Sequence, residues 1–448
     1  MKNYLCAMST TTKNQRAILE KLGIDTLNAM QLETQHAIHA HNEVVVLSPT
    51  GTGKTLAFLL PIMAELDESC TAIQAIIIVP SRELAIQIEQ VAREMGAGIK
   101  VNAFYGGRSF SKDRQDLNHP PAILIGTPGR IGDHLRRNTF STEHIKTLVL
   151  DEFDKSLEIG FESQMKEIIT LLPEVKKKIL TSATKQAEFP AFIGLELPKL
   201  IDYLGENLPK IQVKVITSPT KDKLPTLLTC LQRLNGQPGI VFYNFKESIQ
   251  RVSDYLKAND IAHGCFYGGM EQMDRERALI QFRNGSHQVL IATDLAARGI
   301  DVPEIKYIIH YHLPLKQQEF IHRNGRTARM HNEGSAYVLQ WEKEHLPDFI
   351  EEIHPEAIAV DDLPPAATKQ PFQWATLFIS GGRRDKISKG DIAGIFFKQG
   401  KLEKDELGNI ELKNDCAFVA VPKSKVTTLI RLLDNTRLKK RKVRVNLV

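Results

Sequence analysis

The chain has no long apolar run. The longest, Leu56–Ala64, falls far short of the roughly 18 residues that a membrane-spanning helix needs, so no membrane partner is expected. Cysteine is sparse. Cys6, Cys70, Cys230, Cys265 and Cys416 are odd in number, scattered and without a close pair. That pattern argues against a disulfide framework and against a zinc site, and it suits a reducing compartment. The opening residues MKNYLCAMSTTTKNQR contain no apolar stretch of the secretory kind. Together these absences lead to the expectation of a cytoplasmic protein. No residue-level internal repeat is visible either. What is present is ordinary for a globular chain: 448 residues, 42% hydrophobic and 25% charged, long enough for about three domains.

Charge is modest in sum and uneven in place. The net value is +5, but the segment from Phe372 onward holds 17 basic and 8 acidic residues, so the remainder is slightly negative. A basic module on a near-neutral body points to a polyanionic partner for that module.

Short apolar strands alternate with helical patterns along most of the chain. Val44–Leu47, Ala75–Val79, Ala122–Ile125, Thr147–Leu150 and Lys178–Leu180 form one series. Gly239–Phe242, Ala262–Phe266, Gln288–Ile291 and Tyr307–Ile309 form a second. Such alternation predicts α/β domains with parallel sheets, whose ligands bind at the carboxyl ends of the strands. The expected organisation is a first domain over 1–205, a linker over 206–222, a second domain over 223–360, a Pro-rich linker over 361–372 and a small domain over 373–448. The last reads as βαββαβ, the split-βαβ order.

The chemistry gathers at Val44–Thr55, VVVLSPTGTGKT. A buried strand, a Gly-rich loop and a helix start form a cradle for one anion. A lysine there reaches the β- and γ-phosphates, and a hydroxyl sits on Mg²⁺. Ser48, Thr50, Gly51, Thr52, Gly53, Lys54 and Thr55 are therefore the expected nucleotide site, with Ser48 standing where the generic spacing has glycine. Asp151-Glu152 follow the strand Thr147–Leu150. Hydrolysis needs one carboxylate on the metal and a group to position water, and adjacent acids divide those roles: Asp151 on Mg²⁺ with Thr55, Glu152 on the water. Positive charge for the γ-phosphate is expected from HRNGRTAR (322–329). Gly325 would give close backbone approach, and Arg326 and Arg329 would share one face of a helical turn. The same cluster also fits a surface basic patch or a second RNA contact.

Taken together, these stretches resemble the DEAD-box family of ATP-dependent RNA helicases over roughly residues 10–345. SPTGTGKT (48–55), PSRELA (80–85), Gly106-Gly107, TPGR (127–130), DEFD (151–154), Ser182-Ala183-Thr184, Gln272, Arg275, ATDLAARGID (292–301) and HRNGRTAR stand in that family's order. The resemblance implies two RecA-like domains, ATP and Mg²⁺ as cofactors, and a cleft that becomes catalytic on closure. It implies that Gln31 reads adenine and that Asp301 touches the ribose. Arg326 and Arg329 would be arginine fingers. Pro80, Arg82, Gly107, Thr127, Gly129, Arg130, Thr293, Asp294 and Arg298 would lie on RNA. Asp154, Ser182 and Thr184 would couple hydrolysis to unwinding. Five departures stand out: Phe153 where the family has alanine, Ala328 for glycine, Asn14 near the expected upstream phenylalanine, Ile24 for an aromatic, and Leu27-Asn28-Ala29-Met30 for a Pro-Thr-Pro-Ile type of sequence. A ring at Phe153 has to be packed, and the last two changes weaken the expected adenine stacking.

The basic segment resembles the RRM-like RNA-binding domain of DbpA-type bacterial helicases, through LFISGGRRDKISKGDIAGIF (377–396) and LKKRKVRVNLV (438–448). Phe378 and Phe418 fit base stacking or core packing, and Cys416 occupies a usual aromatic place. Arg383, Arg384, Lys386, Lys439, Lys440 and Arg441 supply electrostatic contact. By resemblance the partner is structured 23S rRNA in pre-ribosomal particles, and the protein acts as a monomer. The expected activity is RNA-stimulated ATP hydrolysis with local unwinding of short duplexes. A non-enzymatic RNA clamp uncoupled by Phe153, a cold-shock or mRNA-decay helicase, and a DNA-directed helicase remain the rivals.

Overall fold

A computed structural model describes residues 15–185, 189–205, 211–294, 305–327, 334–363 and 374–448. The chain divides into two compact units. In the first, β1 (Glu43–Leu47), β2 (Ala75–Ile78), β3 (Val101–Phe104), β4 (Ile123–Gly126), β5 (Thr147–Leu150), β6 (Lys177–Ser182) and β7 (Lys199–Asp202) make one parallel sheet, ordered β3-β4-β2-β5-β6-β1-β7. Its central strands are apolar on both faces, because helices cover both sides and leave no solvent face for polar residues. One core packs Val44, Val46, Phe58, Ile77 and Ile125; the other packs Val45, Leu47, Ile76, Ile78 and Phe153.

In the second unit, β8 (Ile211–Ser218), β9 (Gly239–Tyr243), β10 (His263–Phe266), β11 (Val289–Thr293), β12 (Tyr307–His310), β13 (Gly334–Trp341) and β14 (Glu356–Ile358) form another parallel sheet, ordered β10-β11-β9-β12-β13-β8-β14. Counted from the first strand of each unit, the two orders are the same. The segment 206–222, expected as a linker, contains β8, which pairs with β13 along its whole length and with β14 on its other side. Ser218 and the residues before it lie between polar, Pro-containing flanks, which hid the strand. Of the second expected linker, Leu363 is buried in this unit's core; residues 364–372 lie outside the described residues.

The same unit carries the basic domain. β15 (Trp374–Ile379), β16 (Ile410–Leu412), β17 (Ala417–Pro422) and β20 (Val445–Leu447) form an antiparallel sheet ordered β16-β17-β15-β20. Helices Lys389–Lys398 and Val426–Leu433 cover one face, which gives the expected βαββαβ fold. A two-stranded hairpin, β18 (Arg437–Leu438) and β19 (Arg441–Lys442), is an addition that the sequence did not announce.

Candidate nucleotide site and RNA surface

In the first unit the expected groups sit just beyond the carboxyl ends of β1, β2, β3, β4, β5 and β6. After β1, Gly51 and Gly53 have φ of +85° and +86°, the left-handed region open to glycine. A Cβ on Gly53 would also strike Gln31 Nε2. Helix Lys54–Glu65 starts at the lysine and is anchored by the buried Leu56, Phe58, Leu59 and Ile62; Thr55 is its second residue. Lys54 Nζ donates to the carbonyls of Ser48 and Pro49, the latter at 2.7 Å. Thr52 Oγ1 donates to the Pro49 carbonyl at 2.9 Å, and the buried Ser48 hydroxyl bonds to Thr52 Oγ1 at 2.8 Å. The residue that departs from the generic glycine therefore ties the two ends of the loop together.

Gln31 lies against this loop. Asn28 and Gln31 form a reciprocal capping box at the start of helix Ala29–Ala40. Asn28 Nδ2 donates to the Thr52 carbonyl at 3.0 Å and Gln31 Nε2 to the Gly53 carbonyl at 3.2 Å. The unusual Leu27–Met30 stretch thus supplies an anchor of its own through Asn28.

Asp151 is buried at the end of β5 and accepts from Thr181 Oγ1, which itself accepts the Glu152 N–H at 3.1 Å. Burial and the neighbouring Glu152 carboxylate push Asp151 up to about 6, against the pull of Thr181 and Lys54. Glu152 adopts φ +47°, a costly conformation for a side chain. Its Oε2 is buried without a hydrogen-bond partner. Among the described residues no group of three or more His, Cys, Asp or Glu could hold a metal ion. The donor set does fit Mg²⁺ bound chiefly by nucleotide phosphates, with only Thr55 and Asp151 from the protein. A cation there would favour the charged form of Asp151.

From this centre a chain of bonds leads outward. The Ser48 N–H donates to the Ser182 carbonyl at 3.0 Å. Ser182 Oγ donates to the Thr184 carbonyl at 2.6 Å, and Thr184 Oγ1 donates to Asp154 Oδ2 at 2.9 Å. Phe153, next to Asp154, is buried with Ile131, Leu135, Leu150 and Leu180. The bulky ring is absorbed by the core, and the Thr184–Asp154 bond stands beside it.

Of the expected RNA contacts, Gly129 is exposed at the start of helix Pro128–Arg136, whose first-turn residues come after Thr127. Pro80 is buried behind Ser81, which caps helix Arg82–Met95. The Arg82 guanidinium lies under the Gly106-Gly107 backbone; a Cβ on Gly107, at φ +88°, would come within 2.8 Å of it. Arg130 turns inward. Its Nε donates to Asp113 Oδ2 at 2.7 Å and its Nη2 to the Arg108 carbonyl at 2.7 Å, with the guanidinium over the Phe110 ring. Asp113 is fully buried and also holds Arg108 at 3.0 Å and His134 at 3.2 Å. Sequence reasoning missed this hub, since Asp113 in the polar run Ser109–Leu117 carries no spacing signal.

In the second unit Thr293 is the last residue of β11 and Asp294 follows it directly, at the strand's carboxyl end. Asp294 takes a two-pronged bond from Arg323, which is 1% exposed. Arg323 also donates to the His312 carbonyl at 2.9 Å and to Asn244 Oδ1 at 2.7 Å, so it clamps the ends of β9, β11 and β12. The pattern HRNGRTAR points to its outer arginines and gives no sign of this one. Helix Gln317–Asn324 stops before Gly325, whose φ is −64°. The glycine is not needed for its backbone shape, and Arg326 lies beyond the helix; the face expected to be shared with Arg329 lies outside the described residues. Arg326 is buried. Arg298, Asp301, Ala328 and Arg329 lie outside the described residues.

In the basic domain Lys439 and Lys440 form the turn between β18 and β19, with Lys439 at φ +55°. Lys439 pairs with Asp391 at 3.0 Å and Arg441 with Asp385 at 2.6 Å, while Arg384 and Lys440 are exposed. Arg383 opens a short turn beside them.

Three family models match the chain: "DEAD/DEAH box helicase" over residues 28–191, "Helicase conserved C-terminal domain" over 222–331 and "DbpA RNA binding domain" over 376–447. The chain is 31% identical to the ATP-dependent RNA helicase DbpA of Bacillus subtilis, over 96% of each chain. It is 32% identical to the protein of the same name from Escherichia coli, again over 96% of each. Among solved structures, S. cerevisiae Dbp5 bound to RNA and ADP BeF3 is similar, with a TM-score of 0.68, 26% identity and coverage of 77% of this chain and 93% of that one. Mss116p bound to ssRNA and AMP-PNP gives 0.67 at 25% identity, covering 80% and 76%.

Proposed function

Since the chain belongs to the DEAD-box ATP-dependent RNA helicases, with a DbpA-type RNA-binding domain, we propose that it hydrolyses ATP in response to RNA and opens short RNA duplexes locally, on structured 23S rRNA during large-subunit assembly. The observation that carries the hydrolytic part is the unpartnered, buried Glu152 Oε2 beside Asp151 at the mouth of the phosphate loop. When bound, ATP supplies the scissile phosphoanhydride and Mg²⁺ neutralises charge on its phosphates. Lys54 exchanges the Ser48 and Pro49 carbonyls for phosphate oxygens. Thr55 and Asp151 would hold the metal. Glu152 orients the attacking water and receives its proton. Asp154, Ser182 and Thr184 carry the state of the loop away from the site. Gln31 steadies the loop and meets the base; Asp301, Arg326 and Arg329 are assigned to nucleotide by resemblance. Arg82, Gly107, Thr127 and Gly129 support RNA backbone contact without base readout. Arg130 acts beneath them rather than on them. The clamp reading loses its motive, because Phe153 packs away without breaking the Thr184–Asp154 bond.

The test is ATP turnover with and without structured RNA. Turnover that rises with RNA, and that Lys54→Ala and Glu152→Gln each abolish, is the expected result. Near-normal turnover in either variant would overturn the role given to that residue, and equal stimulation by DNA would favour the DNA-directed rival. For the substrate, a 23S rRNA hairpin fragment should stimulate at lower concentration than an unrelated hairpin.

A further inference from the structure

The carboxyl ends of the second parallel sheet carry a row of rings. Strand register sets Phe242 of β9, His310 of β12 and Val338 of β13 side by side. Two or three residues beyond that level, these neighbouring strands bring Phe245, His312 and Trp341 to one edge. Strands lie about 4.8 Å apart, so the row from β9 to β13 runs for about 10 Å.

The row has a fixed floor. Tyr243 and Tyr311 are buried and stack with ring centres 4.5 Å apart, and both meet the His312 ring edge-on, at 5.3 and 5.1 Å. The Asn244 N–H donates to His312 Nδ1 at 3.3 Å, which leaves the ring proton on Nε2. Burial, with Lys223 and Arg323 adding to it, lowers His312 to about 4, so the ring is neutral near pH 7. Phe245 leans on this ring at 6.1 Å, yet it is 58% exposed. A single exposed apolar side chain is ordinary; this one continues a row whose far end, Trp341, is half-buried.

Cations flank the rings. Lys221 and Lys343 are exposed, with Nζ 6.0 and 5.9 Å from the Trp341 ring centre. Lys246, beside Phe245, is exposed as well. Of the acids nearby, Asp222 is held by Arg251 at 2.6 Å and Glu344 by Lys223 at 3.1 Å, while Glu247 and Glu342 face solvent. Rings interleaved with lysines suit a polyanion whose monomers are flat, a single strand of nucleic acid. The row also starts where RNA is expected. By sheet order β9 is the counterpart of β2, whose end carries Arg82, and its other neighbour is β11, which ends at Thr293.

We propose that Phe245, His312 and Trp341 form a stacking track for about three nucleotides of single-stranded RNA, with Lys221 and Lys343 on its phosphates. Three stacked nucleotides rise about 10 Å, the length of the row. The strand passes from the backbone contacts at Thr293 over the ends of β9, β12 and β13, and its bases are held there instead of re-pairing. This rests on the proposed RNA-unwinding activity and adds where one separated strand is kept.

The chain has two tryptophans, Trp341 and Trp374, so Trp374→Phe leaves Trp341 as sole reporter in the full chain. With AMP-PNP and Mg²⁺ present, an oligoadenylate of about twelve nucleotides should quench its emission. An abasic strand of equal length, with the phosphates but no bases, should leave it unchanged. No quenching by oligoadenylate, or equal quenching by the abasic strand, would overturn the proposal. So would equal quenching by AMP alone, which would make this a mononucleotide site. Affinity for the same oligoadenylate gives a second reading. Phe245→Leu keeps an apolar side chain without the ring and should weaken binding about tenfold, while Phe245→Tyr should keep the parent affinity. A leucine variant that binds like the parent, or a tyrosine variant that binds like leucine, would count against stacking. Lys343→Ala should lower the slope of log affinity against log salt by about 0.7; an unchanged slope would take that lysine off the phosphates. Turnover that rises with RNA while Trp341 stays silent sinks the track alone. Turnover that ignores RNA sinks the unwinding reading, whatever Trp341 reports.

Discussion

Thr184 and Asp154 are joined by a buried hydrogen bond of 2.9 Å, and the same strand end meets the phosphate loop through the Ser182 carbonyl and the Ser48 N–H. A bond from a hydroxyl to a charged group contributes about 1.5–3 kcal/mol. Thr184→Val removes it and leaves the loop intact. Duplex unwinding is expected to fall about tenfold or more, while RNA-stimulated turnover changes by much less, about 1.4 kcal/mol of barrier separating the two. Parallel unwinding and ATPase assays check this; equal losses would place Thr184 in the chemistry instead.

Asp113→Ala strands two arginines and a histidine in the first unit. Removing one partner of a buried ion pair costs about 3–5 kcal/mol. At about 2–4 °C per kcal/mol for a unit of this size, the first unit's midpoint should drop by roughly 6–20 °C in calorimetry. RNA affinity should weaken as well, because Asp113 fixes Arg130 and Arg108 below the Thr127–Gly129 turn.

The second unit should be acid-labile. Burial, with Arg323 adding to it, lowers His310 to about 3, and burial lowers His287 to about 4, from an ordinary 6.5. The unfolded chain then binds more protons than the folded one below pH 6.5. Stability is unaffected above that value, falls as pH drops through it, and levels off below the folded pKa. At pH 5 each histidine costs roughly 2 kcal/mol. Thermal midpoints of this unit at pH 7 and 5 should show the fall, and His310→Gln should reduce it.

Gly53→Ala should abolish nucleotide binding in a titration with a fluorescent ATP analogue. The left-handed conformation costs a side chain roughly 1–2 kcal/mol, and the new methyl meets Gln31. Adding Gln31→Ala relieves the clash but leaves the backbone cost and removes the side chain assigned to the base, so affinity should stay well below that of the parent protein.

Much of the nucleotide site was legible because its chemistry lies in one continuous stretch. The spacing of Gly51, Gly53 and Lys54 after a β-branched run carries strand, turn and helix together, and all three formed. Strand β5 and the acids after it were placed to the residue. What escaped depends on partners distant in sequence. β8 does carry alternating Ile211, Val213 and Val215, but the run is short and lies between prolines at 209 and 219, and its place between β13 and β14 shows only in the fold. Arg130 and Asp294 look like surface contacts until Asp113 and Arg323 are found beside them. Phe418, 5% exposed, could be weighed only as stacking or core, because its burial rests on residues outside its own strand.

The two parallel sheets share one strand order, and the tripeptide that leaves the first strand recurs: Ser48-Pro49-Thr50 after β1, Ser218-Pro219-Thr220 at the end of β8. Beyond the tripeptide the two chains of residues part. The first copy continues through two left-handed glycines to Lys54. The second has no glycine, and its Lys223 is buried, donating to the Leu339 carbonyl at 2.8 Å and paired with Glu344 at 3.1 Å. The architecture is duplicated, but among the described residues the glycine-and-lysine loop that follows β1 has no counterpart after β8.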